Sequence, residues 1–183
     1  MGRVPLRPVR RVIRPVLINS RLRSAAWGAL AAGLAIFPAQ AACPLERATY
    51  RDVEGTAAIE FTADSETAAV TNGFKMRLDK GVMLDGIVMW TEGVRRPNGM
   101  LSYDCPEGDV TGEELAACTV WQGVIYTSDA AGTIALLPPQ TAEAPAKLIL
   151  PDLGPSLRHS AAYGANGLAE VPWDVFAFSS CRE

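Results

Sequence analysis

Residues 71–90 read TNGFKMRLDKGVMLDGIVMW. Phe74, Met76 and Leu78 alternate with Lys75, Arg77 and Asp79. A period of two puts apolar side chains on one face of an extended strand and charges on the other. Turn signals surround this strand. Asn72-Gly73 reads as a hairpin turn, Lys80-Gly81 as a second and Asp85-Gly86 as a third, because such pairs tolerate the positive φ of tight turns. Working outward, Ala57–Thr62 carries Ile59 and Phe61 at alternate positions, and Ile87–Trp90 is apolar throughout. Pro97-Asn98-Gly99 turns into Met100–Tyr103. Four strands with short links are the pattern of an antiparallel meander.

The same grammar continues towards the C-terminus, with one interruption. Thr111-Gly112-Glu113-Glu114 matches a capping box and predicts a short helix bracketed by Cys105 and Cys118. Strands are expected at Val120–Thr127, Thr133–Leu137, Lys147–Leu150 and Trp173–Phe178, with a turn at 129–132. Pro151–Pro172 is rich in Gly, Pro and Ser and reads as a long irregular loop. Loops of that length in small domains are often functional. The expected fold is all-β: a small antiparallel sandwich or barrel of about eight strands with one short helix. An α+β domain with a larger helix is the alternative.

Charge divides the chain. Residues 1–41 hold seven Arg and no acid, whereas residues 42–183 hold 10 basic and 20 acidic residues. The formal net charge of −3 is therefore +7 from the first segment and −10 from the second. The first segment has a basic start, an uncharged run from Ser24 to Phe37, and Ala39-Gln40-Ala41. That order is a secretory signal peptide with cleavage expected after Ala41. The apolar run falls short of a spanning helix and contains Pro38. Gln40 replaces the Leu that a lipidation signal wants before Cys43, and the surroundings of Arg10-Arg11 fit twin-arginine export poorly. The reading is a signal peptide at 1–41 and one exported β-rich domain at 42–183, with no stable membrane anchor once the signal is removed. An acidic body argues against nucleic-acid binding.

All four cysteines, Cys43, Cys105, Cys118 and Cys181, lie in that domain. After a signal peptide an even count reads as a disulfide framework. Three pairings are possible. Cys43–Cys181 and Cys105–Cys118 are expected, the first tying the two ends of the domain and the second closing a short loop. Spacings typical of zinc ligands are missing, and there is one His.

Candidate chemistry is sparse. His159, flanked by Ser156 and Ser160 with Asp152 nearby, is the one place for a Ser–His–acid site. Residues so close in sequence rarely reach that geometry, and no G-x-S-x-G elbow is present. The carboxylates are scattered, so a pair facing across a cleft is not readable. Met76, Met83, Met89 and Met100 gather in the meander. Thioethers suit Cu(I), but Met as core filler is the better reading. Arg95-Arg96, Arg158, His159 and Trp173 are candidate binding residues on an acidic body. No motif for a cofactor is present, so none is expected. These features favour a binding or inhibitor-type accessory domain over an enzyme, with a basic extracytoplasmic protein as the expected partner. A small hydrolase and a Met-based copper-handling protein are the alternatives.

Overall fold

A computed structural model describes residues 42–63, 70–90, 92–164 and 167–183. The expected leader, 1–41, lies outside the described residues. The strands are β1 (Ala48–Asp52), β2 (Ala58–Thr62), β3 (Val70–Arg77), β4 (Met83–Met89), β5 (Asn98–Ser102), β6 (Thr119–Gly123), β7 (Tyr126–Ser128), β8 (Ile134–Leu136), β9 (Lys147–Ile149) and β10 (Val175–Cys181). Two short helices, α1 (Gly112–Cys118) and α2 (Leu153–Arg158), accompany them. The ten strands form one antiparallel sheet in the order β6-β5-β4-β3-β2-β1-β10-β9-β7-β8. The all-β expectation holds, with every strand of the described residues in a single sheet.

Chain connectivity makes that sheet curl. Only Val124 and Ile125 separate edge strand β6 from β7, which lies next to the other edge. Eight inter-strand steps would span about 38 Å in a flat sheet. Three Cα–Cα steps reach at most about 11 Å. The sheet therefore folds back on itself as a half-barrel. The Trp121 ring lies against Gly99 and Gly123, which leave room for it, and Ile125 is buried beside Gly99. The Trp121 Nε1–H donates to the Pro151 carbonyl at 2.9 Å, fastening the 151–158 segment to β6.

The concave face holds the core. Register aligns Tyr50 with Ile59, Ile59 with Met76 and Met76 with Leu84, and all four are buried. Tyr50 stacks edge-on to Phe61, whose ring centroid lies 5.4 Å from that of Phe74. Burial pushes the Tyr50 hydroxyl above its ordinary pKa.

Three turn assignments are corrected, the first being Asn98-Gly99, which pairs inside β5 with Met89 and Val88. Asn72-Gly73 lies inside β3 and Asp85-Gly86 inside β4. Neither glycine has the positive φ that a tight turn requires. Phe74 pairs with Gly86 in register, and its ring occupies the space a side chain there would take. Gly86 is a seat for an aromatic ring. Asn72 is buried, and its amide donates to the Pro138 carbonyl at 3.3 Å and accepts from the Thr71 hydroxyl at 2.9 Å. The Lys80-Gly81 turn is present, with φ of 52° and 77°.

Other differences have local causes. The strand expected over Val120–Thr127 splits into β6 and β7 at the seam. The loop expected from Pro151 contains α2, because Leu153 and Leu157, one helical turn apart, are both buried. Pro155 is accepted in the first turn of α2. Strand β1 carries no sequence signal, yet it sits between β2 and β10.

Helix α1 forms as the capping box dictates. The Thr111 hydroxyl accepts from the Glu114 N–H at 3.3 Å, and the Glu114 carboxylate accepts from the Thr111 N–H at 2.8 Å. The bond from the Thr111 backbone holds the Glu114 carboxyl below its ordinary pKa. A depressed folded pKa means that this contribution is present above the unfolded carboxylate pKa and is lost as pH falls through the folded one. Thr111→Ala is expected to cost about 1 kcal/mol near neutral pH. The Thr111 hydroxyl also donates to the Glu114 carboxylate at 2.8 Å, a bond that Ala removes, so urea titrations across the acid range are expected to show that difference shrinking as Glu114 becomes protonated.

Candidate functional site

The two ends of the described 42–183 segment meet beside β1 and β10. Cys43 is cross-linked to Cys181 with Cα atoms 5.8 Å apart, and Cys105 to Cys118 at 5.2 Å. Both expected pairings are present. Such cross-links persist in oxidising surroundings, the condition of extracytoplasmic compartments.

The strap leading into β1 is paired on one side. The Ala144 N–H donates to the Cys43 carbonyl at 2.8 Å, and the Leu45 N–H to the Ala142 carbonyl at 2.9 Å. The same 142–146 segment reaches β10, where the Phe178 N–H donates to the Ala146 carbonyl at 2.9 Å. The Tyr50 hydroxyl donates to the Pro145 carbonyl at 3.0 Å. Between these attachments lies an open groove of about 1030 Å³.

Phe178, Pro145, Ala144, Ala146 and the Cys43–Cys181 bridge give it a largely apolar lining, which also includes Asp129 and Glu143. Phe178 is 39% exposed, although the ring it touches, Tyr50, is fully buried. Asp129 accepts from the Ala131 and Thr133 N–H groups at 2.9 and 2.8 Å. The bond from the Thr133 backbone leads in holding its carboxyl below the ordinary value. Asp129 is thus fixed by the β7–β8 turn and anionic at neutral pH. A largely apolar lining that includes carboxylates suits a group with an aliphatic stem and a cationic head.

Compared with protein-family models, curated proteins and solved structures, the chain matches none.

The residues expected from sequence fall elsewhere. Arg96 reaches the Tyr126 hydroxyl at 3.4 Å, and Arg95 is exposed beside it. Arg158 lies 5.1 Å from the Tyr163 ring centroid and donates to its hydroxyl at 3.0 Å. His159 is exposed at the end of α2. The neighbouring Ser160 hydroxyl donates to the Leu157 carbonyl at 2.8 Å and accepts from the Ala162 N–H. That hydroxyl satisfies a carbonyl of the helix's last turn. Asp152 begins α2 with φ of 60°, and the Asp174 carboxylate accepts from the N–H groups of Asp152 and Gly154. Trp173 is 57% exposed at the start of β10.

The four methionines are divided between the two faces of the sheet, Met76 lying on the core face and Met83, Met89 and Met100 on the other. Met76 is fully buried, Met83 and Met89 are at opposite ends of β4, and the Met100 sulfur accepts from the Thr119 hydroxyl. Sequence reasoning missed the groove, because its lining comes from four separated segments. The one available signal was Phe178, which shares its strand face with the buried Phe176.

Proposed function

We propose that residues 42–183 are an exported, disulfide-stapled binding domain, an inhibitor-type accessory to a basic extracytoplasmic protein such as a lysozyme or a cytochrome. The groove carries this reading: a lining of Phe178, Pro145 and Ala146 that also includes Asp129 and Glu143. A lysine- or arginine-bearing loop of the partner lays its aliphatic stem on the apolar lining and its charge against the carboxylates. The net charge of −10 left after leader removal steers a cationic partner and raises its association rate at low salt.

Titration of the processed protein with basic secreted proteins, across ionic strength, tests this. Association is expected to slow as salt rises. Glu143→Gln is expected to weaken binding by about fivefold, the scale of one exposed charge pair. Ala146→Trp fills the groove from a half-buried position and is expected to abolish capture. Full affinity in Ala146→Trp sinks the groove as the binding site.

A further inference from the structure

The convex face of the sheet has two unlike halves. Across β2, β3 and β4 it is polar, with Arg77 paired to Glu60 and Lys75 to Asp85. Across β10, β9, β7 and β8 it is apolar. Register places Val175 beside Ile149, Ile149 beside Tyr126 and Tyr126 beside Leu136, and such partners point to the same face. Trp173 stands two residues before Val175, and Ile134 two before Leu136, each 57% exposed.

Cations flank this row. Arg51 and Lys147 both pair in register with Ala177, on either side of β10. Arg96 reaches the Tyr126 hydroxyl, and Arg95 adjoins it. These are four of the ten cationic residues in 42–183. Among the described residues none of the four forms an ion pair. The registered row holds no acid, although the segment as a whole has two acids per base.

We propose that this face is a reversible docking surface for a membrane leaflet rich in anionic lipid. Trp and Tyr favour the membrane–water interface, where the ring is buried and the polar edge stays wet. Val175, Ile149 and Leu136 supply apolar area between them. Each cation near an anionic surface is worth about a fivefold gain in partitioning. A cation-flanked apolar row on an otherwise acidic domain is the complement of such a leaflet. The groove opens beside Phe178, which shares the concave face with Tyr50, so lipid and a protein partner bind different sides. The inference does not depend on the groove.

Vesicle flotation tests it, using the processed protein with its N-terminus read by mass spectrometry. Flotation is expected with phosphatidylglycerol–phosphatidylcholine vesicles, not with phosphatidylcholine alone. It is expected to weaken with salt. Trp173→Ala with Val175→Ser is expected to reduce binding more than about tenfold, from loss of apolar area. Arg51→Gln with Lys147→Gln changes only exposed side chains and is expected to reduce it about twenty-fivefold. Lys80→Gln, on the 79–81 turn away from this face, should float as the parent does. Absent flotation, or flotation indifferent to both double substitutions, overturns the proposal. So does competition at this face by a soluble acidic protein without any vesicle binding.

Discussion

Replacing Cys43 and Cys181 together by serine is expected to remove about 5 kcal/mol of stability. The two residues are 138 apart in sequence, and a cross-link restrains the unfolded chain more as the loop it closes grows. The Cys105–Cys118 bridge spans 13 residues, and its removal is expected to cost about 3 kcal/mol on the same scale. Domains of this size have total stabilities of roughly 5–15 kcal/mol. The first loss is therefore a large fraction of the whole, and the second leaves a folded protein. Position adds a second readout. Cys43 and Cys181 line the groove and hold the strap against β10, whereas the other pair brackets α1. Urea unfolding midpoints should fall for both double variants, further for Cys43→Ser/Cys181→Ser. Capture of a basic partner should be lost in that variant and retained in Cys105→Ser/Cys118→Ser. Equal losses of stability would show that loop length does not set the effect here.

What the sequence made legible was local. The capping box at Thr111–Glu114 is written in four consecutive residues, and α1 follows from it. The parity of Phe74, Met76 and Leu78 correctly assigned their faces, because alternation survives whatever the strand pairs with. The disulfide pairing was accessible because one choice closes a short loop and joins the two ends of the 42–183 domain. The features that failed depend on tertiary partners. Strand β1 lacks alternation because Ala48, Thr49 and Tyr50 are all buried, being enclosed between β2 and β10. Helix α2 hid behind Gly154 and Pro155, since only burial distinguishes a Leu153–Leu157 pair from two loop leucines. Arg96 and Trp173 were singled out separately. The row of Tyr126, Ile149 and Val175 that joins them exists only through the β7–β9–β10 register. The groove was unreadable for the same reason, as residues 42–43, 129–130, 143–146 and 178–181 meet only in the fold.

The misread Asp85-Gly86 pair leads to the second large effect. Gly86→Ala is expected to destabilise by about 3 kcal/mol, the upper range for overpacking a core. An added Cβ would overlap the Phe74 ring, and that ring has little room to retreat. Phe74 is 2% exposed, and Phe61 packs against it at 5.4 Å between centroids. Relief requires displacing a core aromatic or opening the β3–β4 register, which spans seven residue pairs. The substitution separates two roles for glycine. At a tight turn with positive φ, Asn is tolerated nearly as well as Gly. Inside β4, Gly86→Asn is expected to be at least as damaging as Gly86→Ala, because the obstacle is the ring and not the backbone. Gly112 supplies the contrast: it opens α1 with nothing near its missing Cβ, so Gly112→Ala is expected to be neutral or to gain up to about 1 kcal/mol. A double-mutant cycle completes the argument. Phe74→Leu removes the ring, so its cost and that of Gly86→Ala are expected to sum to more than the cost of the pair, with a coupling of about 1 kcal/mol or more. Additive costs in urea unfolding would mean that the ring and the glycine are independent, and that Gly86 owes its place in β4 to something other than Phe74.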